Sequence, residues 1–266
     1  MTKKAISIWV YDDEGVSELS VRSALATAKT KLSANYTIQV STISSKDILD
    51  NKLNEETQEL GVLIIPGGAD LPYCKKLNGL GNDIIRDFVH RGNLYIGICA
   101  GGYYGARDIE FFGEGYEIRG ARELAFFSGT AIGSIKSLTN GQLYDEKVTS
   151  KAVINLDYAD GKQDEVYYHG GSYFLSDENA AFDTLATYSD GKNAVISGDF
   201  GRGQYLLSGV HFELCPEVYE QYALAQANAT DIEKEKSLLS AISNKRYGAL
   251  IYNQIENMIA EVFNNN

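Results

Sequence analysis

Two short apolar runs that stop on glycine constrain this chain most. "GVLIIPGG" occupies residues 61–68 and "NLYIGICAGG" residues 93–102. Each is apolar along almost its whole length, the mark of a strand buried on both faces. "AISIWVY" (5–11) reads the same way, and "YTIQVSTI" (36–43) reads as a further strand. Helical patterns separate them. Residues 17–32 set Leu19, Leu25, Ala28 and Leu32 on roughly one face behind a candidate N-cap at Ser17, and a helix runs over 82–91 with Gly92 after it. Strand and helix in alternation build a parallel sheet covered on both faces. The expected fold is α/β, a flavodoxin-like three-layer sandwich with a mostly parallel central sheet.

The pattern changes between about 117 and 195. This stretch is rich in Gly, Ser, Thr and Tyr, and "SIKSL", "KAVINL", "EVYYHGGSYF" and "TLATYS" alternate like antiparallel strands. An antiparallel β insertion is therefore expected. "GQYLLSGVHFE" (203–213) reads as a return to a continuous apolar strand, preceded by a turn at "GRGQ". From 217 onward the chain reads as helix with a break near 228–230, and its amphipathic last part suits a packing helix over the sheet edge. Three prolines and no proline-rich linker favour one compact domain, residues 1–216, with 217–266 as a helical extension packed on it.

Composition narrows the partners. A net charge of −12 repels phosphate backbones and anionic membranes, so neither nucleic acid nor membrane is expected. No segment approaches the roughly 18 apolar residues of a membrane span, and the opening "MTKKAISIWVYDDEG" does not fit a signal peptide. Cys74, Cys99 and Cys215 are odd in number and widely spaced. They suggest neither a disulfide framework nor a zinc site, and a reducing cytoplasm is the simplest compartment. No metal or organic cofactor is expected from three scattered histidines and three cysteines.

"GICAGG" sits where a strand ends and a helix begins. In an open parallel sheet, ligands bind beyond the carboxyl ends of the strands. A Gly-x-nucleophile-x-Gly turn forces its central residue out of the chain's path, with glycines where side chains would clash. The next helix aims amides at the sulfur, which favours thiolate over a thiol of ordinary pKa about 8.5. Such a cysteine needs a base and the base an orienting group. His90 suits a helix C-terminus. His211 lies with Glu213 in "SGVHFEL", and two residues apart in extended chain they point to one side. Gly67 and Gly68 of "PGGAD", with the amide of Ala100, can aim N–H groups at a developing oxyanion.

Elbow, PGG turn and late His-x-Glu together resemble the class I glutamine amidotransferase-like superfamily. "PGGADLPYCKKLNGLGNDIIRDFVHRGNLYIGICAGGYYGARDIEF" and "RELAFFSGTAIG" resemble the amino-terminal, amidotransferase-like domain of biotin–protein ligases, most densely over 61–133 and more loosely over 6–213. The resemblance implies Cys99 as nucleophile, His211 as base, Glu213 as orienting acid, and Gly67, Gly68 and Ala100 at the oxyanion hole. It puts Tyr168, His169 and Gly170 along a substrate pocket. Tyr103 and Tyr104 stand where glutamine-using relatives usually carry a polar residue, which leaves open whether glutamine is the substrate, and Tyr103 is expected to line the substrate pocket. Ligase activity is not expected.

Three readings stay open. One is a cysteine-dependent hydrolase or amidotransferase-like enzyme that cleaves the carbon–nitrogen bond of a small-molecule amide through a thioester. Another is a catalytically silent binding or regulatory module, with a protein partner or a second copy as its ligand. The third is a cysteine-based sensor or deglycase-like protein, with Asp12, Asp13 or Glu14 beside the cysteine.

Overall fold

The computed structural model describes residues 3–32 and 35–265. In chain order these form β1 (Ala5–Tyr11), α1 (Glu18–Leu32), β2 (Thr37–Ile43), α2 (Ser45–Leu49), α3 (Lys52–Glu55), β3 (Leu60–Ile65), α4 (Asp70–Leu77), α5 (Leu80–His90), β4 (Leu94–Ile98) and α6 (Ala100–Gly105). The chain continues through β5 (Ala106–Gly113), β6 (Tyr116–Ala121), β7 (Phe127–Gly133), β8 (Lys151–Asp157), β9 (Gln163–His169), β10 (Tyr173–Ser176), β11 (Asp183–Tyr188), β12 (Asn193–Phe200) and β13 (Gly203–Ser208). The helices α7 (Pro216–Tyr222), α8 (Ile232–Ile242) and α9 (Ala249–Asn265) close the chain.

The large sheet runs β2-β1-β3-β4-β13-β12-β11-β8-β9. Its first five strands are parallel and follow the flavodoxin-like order. Its last four extend it antiparallel. β3 and β4 are buried at every position, as their unbroken apolar sequences require. One face packs Ile6, Ile8 and Val10 against Val21, Ala24 and Ala28 of α1 and Ile251, Ile255 and Ile259 of α9. The other packs Leu63, Ile65 and Leu207 against Tyr73 and Leu77 of α4, Ile85 and Phe88 of α5, and a second sheet. That second sheet, β10-β7-β5-β6, supplies Ile109, Phe127, Ala131 and Phe174 to the same core.

Several local expectations change. "SIKSL" is not a strand: Lys136–Thr139 form a 3₁₀ turn ended by Asn140 at φ +54°. The β region begins earlier than expected, at β5, and "EVYYHGGSYF" divides into β9 and β10, which belong to different sheets. Gly171 makes the division: a Cβ there would lie 1.7 Å from the Gly209 carbonyl oxygen. The strand expected over 203–213 stops at Ser208, whose hydroxyl bonds both the N–H and the carbonyl of Val210 and turns the chain. The last helix covers the face of the sheet beside α1, with contacts to the central β13, rather than the sheet edge. α4 lies in a stretch for which no helix was expected.

The elbow is closely packed as well. A Cβ on Gly101 would sit 1.9 Å from the Ile65 carbonyl oxygen, and one on Gly97 2.2 Å from that of Gly101. Backbone on both sides leaves no room to yield. Gly101→Ala is expected to cost about 1–3 kcal/mol as overpacking does, read as a lower urea midpoint at unchanged m-value. A variant as stable as the wild type would mean that α6 can slide away from β3.

Candidate active site

β4 ends at Ile98 and α6 begins at Ala100, leaving Cys99 alone at the junction with φ +50° and ψ −104°. That backbone is outside the regions a β-carbon residue ordinarily adopts. It is held by the Cys99 N–H donating to the Ser208 carbonyl at 2.8 Å and by the Tyr103 N–H donating to the Cys99 carbonyl at 3.0 Å. Cys99 is 7% exposed and opens on a cavity of about 910 Å³. α6 has only six residues, too few for a long helix dipole, and the Cys99 side chain makes no cap hydrogen bond to it.

His211 reaches the same cavity from the irregular segment after β13. Its N–H donates to the Tyr167 carbonyl at 2.9 Å, and Tyr247 Oη donates to its own carbonyl. The ring lies over Gly67, where a Cβ would come within 2.6 Å of its Cε1. Nδ1 lies 2.9 Å from Glu213 Oε1, and Cys99 lines the same cavity, its sulfur donating to the His169 carbonyl at 3.7 Å. Burial works against charge on this imidazole, but the Glu213 carboxylate and the Cys99 sulfur outweigh it, and its pKa is pushed up to about 10. Both neighbours favour the imidazolium form.

Glu213 is 1% exposed. Its Oε1 accepts from His211 and, at 2.6 Å, from the hydroxyl of Ser20, which itself accepts the Gly67 N–H at 3.0 Å. A continuous hydrogen-bonded path therefore runs from the PGG turn through Ser20 and Glu213 to His211. The Glu213 carbonyl accepts from Thr27 Oγ1 at 3.1 Å, and Tyr252 Oη donates to that hydroxyl at 2.7 Å. Sequence reasoning missed Ser20. Its signal was the inward face of α1, which carries Ser20, Ser23 and Thr27, all buried. Three buried hydroxyls on one helix face need polar partners, and all three reach the PGG turn or residues 213–215.

The other expected residues divide. Gly68 and Ala100 line the cavity, and neither N–H has a hydrogen-bond partner among the described residues. The Gly67 N–H is committed to Ser20 and does not face the cavity. Tyr103, His169 and Gly170 line it. Tyr168 does not: its hydroxyl accepts from the Ile135 N–H at 2.6 Å and donates to the Gly171 carbonyl at 2.9 Å, on the opposite face of β9. Alternation along the strand sends Tyr167 to the cavity instead. His169 Nε2 donates to the Asp145 carbonyl at 2.8 Å, and burial above all lowers its pKa to about 4, so it is neutral. Asp12, Asp13 and Glu14 do not line the cavity; Asp13 binds Ser45 at 2.5 Å, and Lys76 lies 3.7 Å from Asp13 and 3.5 Å from Glu14. That removes the acid a sensor-type cysteine site was expected to borrow. Among the described residues, no three His, Cys, Asp or Glu side chains converge as a metal site.

The family model described as biotin-protein ligase, N terminal, matches residues 6–257. The chain belongs to this family. A relative from Chlamydia muridarum, described as an uncharacterized protein, is 32% identical over 267 residues, covering 96% of this chain and 97% of its own. The biotin–protein ligase of Schizosaccharomyces pombe is 33% identical over 168 residues, 59% of this chain but 26% of that protein. Among solved structures, a glutamine amidotransferase covers 75% of this chain and 89% of its own at 20% identity and a TM-score of 0.48. The family model thus extends well past the stretch 61–133 on which the resemblance was densest.

Replacing Glu213 tests the electrostatics. In Glu213→Gln, burial acts on His211 with less opposition, and the imidazole pKa is expected to fall well below about 10 in an NMR titration. The folded value lies above the ordinary 6.5, so the charge contributes stability that is complete below about 6.5 and fades as pH rises through about 10. The stability gap between wild type and variant is therefore widest in acid and closes toward pH 10; a gap independent of pH would contradict the assignment. Ser20→Ala leaves a buried carboxylate one hydrogen bond short and is expected to cost about 1–3 kcal/mol, measured by urea unfolding.

Proposed function

We propose that this protein is a cysteine-dependent hydrolase or amidotransferase-like enzyme that cleaves the carbon–nitrogen bond of a small-molecule amide. The observation that supports it is the buried His211 ring, bonded to Glu213 and lining the same large cavity as Cys99, with both neighbours raising its pKa. An imidazolium is the counter-ion that a thiolate nucleophile needs.

In this reading Cys99 Sγ attacks the amide carbonyl carbon, and the carbonyl π pair moves onto oxygen. The free N–H groups of Gly68 and Ala100 receive the oxyanion. The pair returns, the carbon–nitrogen bond breaks, and the leaving nitrogen takes the proton from His211. The acyl group remains on Cys99 as a thioester. Water then attacks the thioester while His211 accepts its proton; the sulfur departs as thiolate and a carboxylic acid is released. Glu213 keeps the imidazole oriented through both proton transfers, and Ser20 ties that carboxylate to the PGG turn. A reducing compartment such as the cytoplasm suits a working thiolate among three free cysteines. Residues 217–266 belong to the same domain in this reading, because Tyr247 and Tyr252 brace residues 211–213 through the His211 carbonyl and Thr27.

Cys99→Ala is expected to abolish amide cleavage at unchanged far-ultraviolet circular dichroism, and His211→Ala to lower it by roughly 10²–10⁴-fold, as loss of a general acid–base does. Alkylation followed by peptide mass spectrometry supplies the second test. Cys99 should react faster than Cys74 and Cys215 at pH 6–7, and lose that advantage in His211→Ala. Equal rates at all three cysteines would instead favour a silent binding module.

A further inference from the structure

The cavity has two unlike walls. On one side β5 and β6 present Ile109, Phe111, Tyr116 and Ile118 toward Cys99, and Tyr144 joins them. Phe111 is the hub of this wall, with ring centroids 5.6 Å from Tyr103, 5.9 Å from Tyr116 and 5.6 Å from Tyr144. Tyr144 continues it to His169 at 4.7 Å. Tyr116 is left 48% exposed, a large ring that its own fold does not cover. A concave aromatic wall open to solvent beside a reactive group is ordinarily a ligand surface.

The other wall is acidic. Five carboxylates line the cavity (Glu18, Asp70, Glu146, Asp231, Glu235) against two lysines and no arginine. The lysines are engaged: Lys151 lies 2.6 Å from Glu235, and Lys147 lies 3.3 Å from Asp145 with a side chain 77% exposed. The nearby guanidinium of Arg122 is bound to Asp70 at 2.6 Å, behind the wall. Recognition of a substrate carboxylate calls for a free cation, best an arginine fork. The His211 ring is held by Glu213, no arginine lines the cavity, and its carboxylates outnumber its lysines, which disfavours an anion.

We propose that the amide taken by this site is neutral or cationic and carries an aromatic or branched apolar group that lies on Phe111 and Tyr116, and that free glutamine and other carboxylate-bearing amides are poor substrates. This rests on Cys99 being the nucleophile, and it assigns the partner class that nucleophile meets. Aromatic stacking on the β5–β6 wall provides the affinity, and charge excludes the anions.

The test needs no turnover. The full-length protein is treated with chloroacetamide, N-benzylchloroacetamide and chloroacetate, and alkylation of Cys99 is followed by peptide mass spectrometry. Each rate is divided by that of glutathione to remove intrinsic reactivity. The benzyl reagent is expected to label Cys99 at least ten-fold faster than chloroacetamide, and chloroacetate at least ten-fold slower. Phe111→Ala and Tyr116→Ala, checked for folding by circular dichroism, should remove the benzyl advantage. Equal normalised rates, or a chloroacetate preference, would overturn the substrate class; if labelling still depends on His211, the nucleophile reading survives that result. If Cys99 labels no faster than Cys74 with every reagent and is indifferent to His211, the nucleophile fails and the substrate class falls with it. Ammonia release from 3-phenylpropanamide and from glutamine gives the matching catalytic readout, with the aromatic amide expected to show at least ten-fold higher kcat/KM.

Discussion

The Glu213 carboxylate is the group on which the rest of this site depends. It is 1% exposed and borders a small apolar space lined by Ala24, Ile64, Ile98 and Ile255, where a lone carboxylate would be strongly disfavoured. Two donors meet its Oε1, the His211 ring and the Ser20 hydroxyl. The energetics run both ways: the imidazolium compensates the carboxylate, and the carboxylate overrides the burial that would otherwise neutralise the imidazole. Neither charge is stable in this place alone. The pair holds the imidazole at the wall of the cavity that Cys99 also lines.

That arrangement explains why the surrounding parts are as they are. Residues 209–213 are irregular chain, so their buried carbonyls need partners from outside the sheet. Tyr247 serves the His211 carbonyl, and Thr27, held by Tyr252, serves that of Glu213. The Gly248 backbone packs on Phe212 so closely that a Cβ would lie 2.7 Å from the Phe212 carbonyl oxygen. The C-terminal helices are therefore tied to the site through these contacts as well as through the apolar face they cover. α1 has the same double duty: its alanines and valine fill the core, and its hydroxyls bond the PGG turn and the segment after β13.

Much of this was legible in the residues, and the parts that were not have physical reasons. Continuous apolar runs read as buried strands because β3 and β4 lack a polar face, so period and burial agree. The elbow read correctly as a junction because two glycines are needed where β3, β4 and α6 backbones touch. The His211–Glu213 proximity was foreseen from a two-residue spacing, yet the strand assumed for it ends at Ser208; a hydroxyl-driven turn is invisible to periodicity. Tyr167 and Tyr168 could not be told apart, since assigning faces requires the register of β9 against β8. Gly67 and Gly68 likewise looked equivalent, and only a hydroxyl from a helix 47 residues upstream separates them.

The second sheet carries the sharpest lesson about long-range order. Its strands come from two separated stretches, with β10 added to β7 after β8 and β9 have joined the large sheet. No local pattern announces that crossing. It depends on Gly170 and Gly171, the one at φ +74° and the other pressed against Gly209. The same two glycines let Tyr103 donate to the Gly170 carbonyl at 3.1 Å and let Tyr144 lie over Gly170. A change of sheet and the shape of the aromatic wall are thus one structural event. The sulfur of Cys99 lies 3.7 Å from the carbonyl of His169, the last residue before that crossing. The elbow presents the sulfur, and the crossing decides what kind of surface it faces.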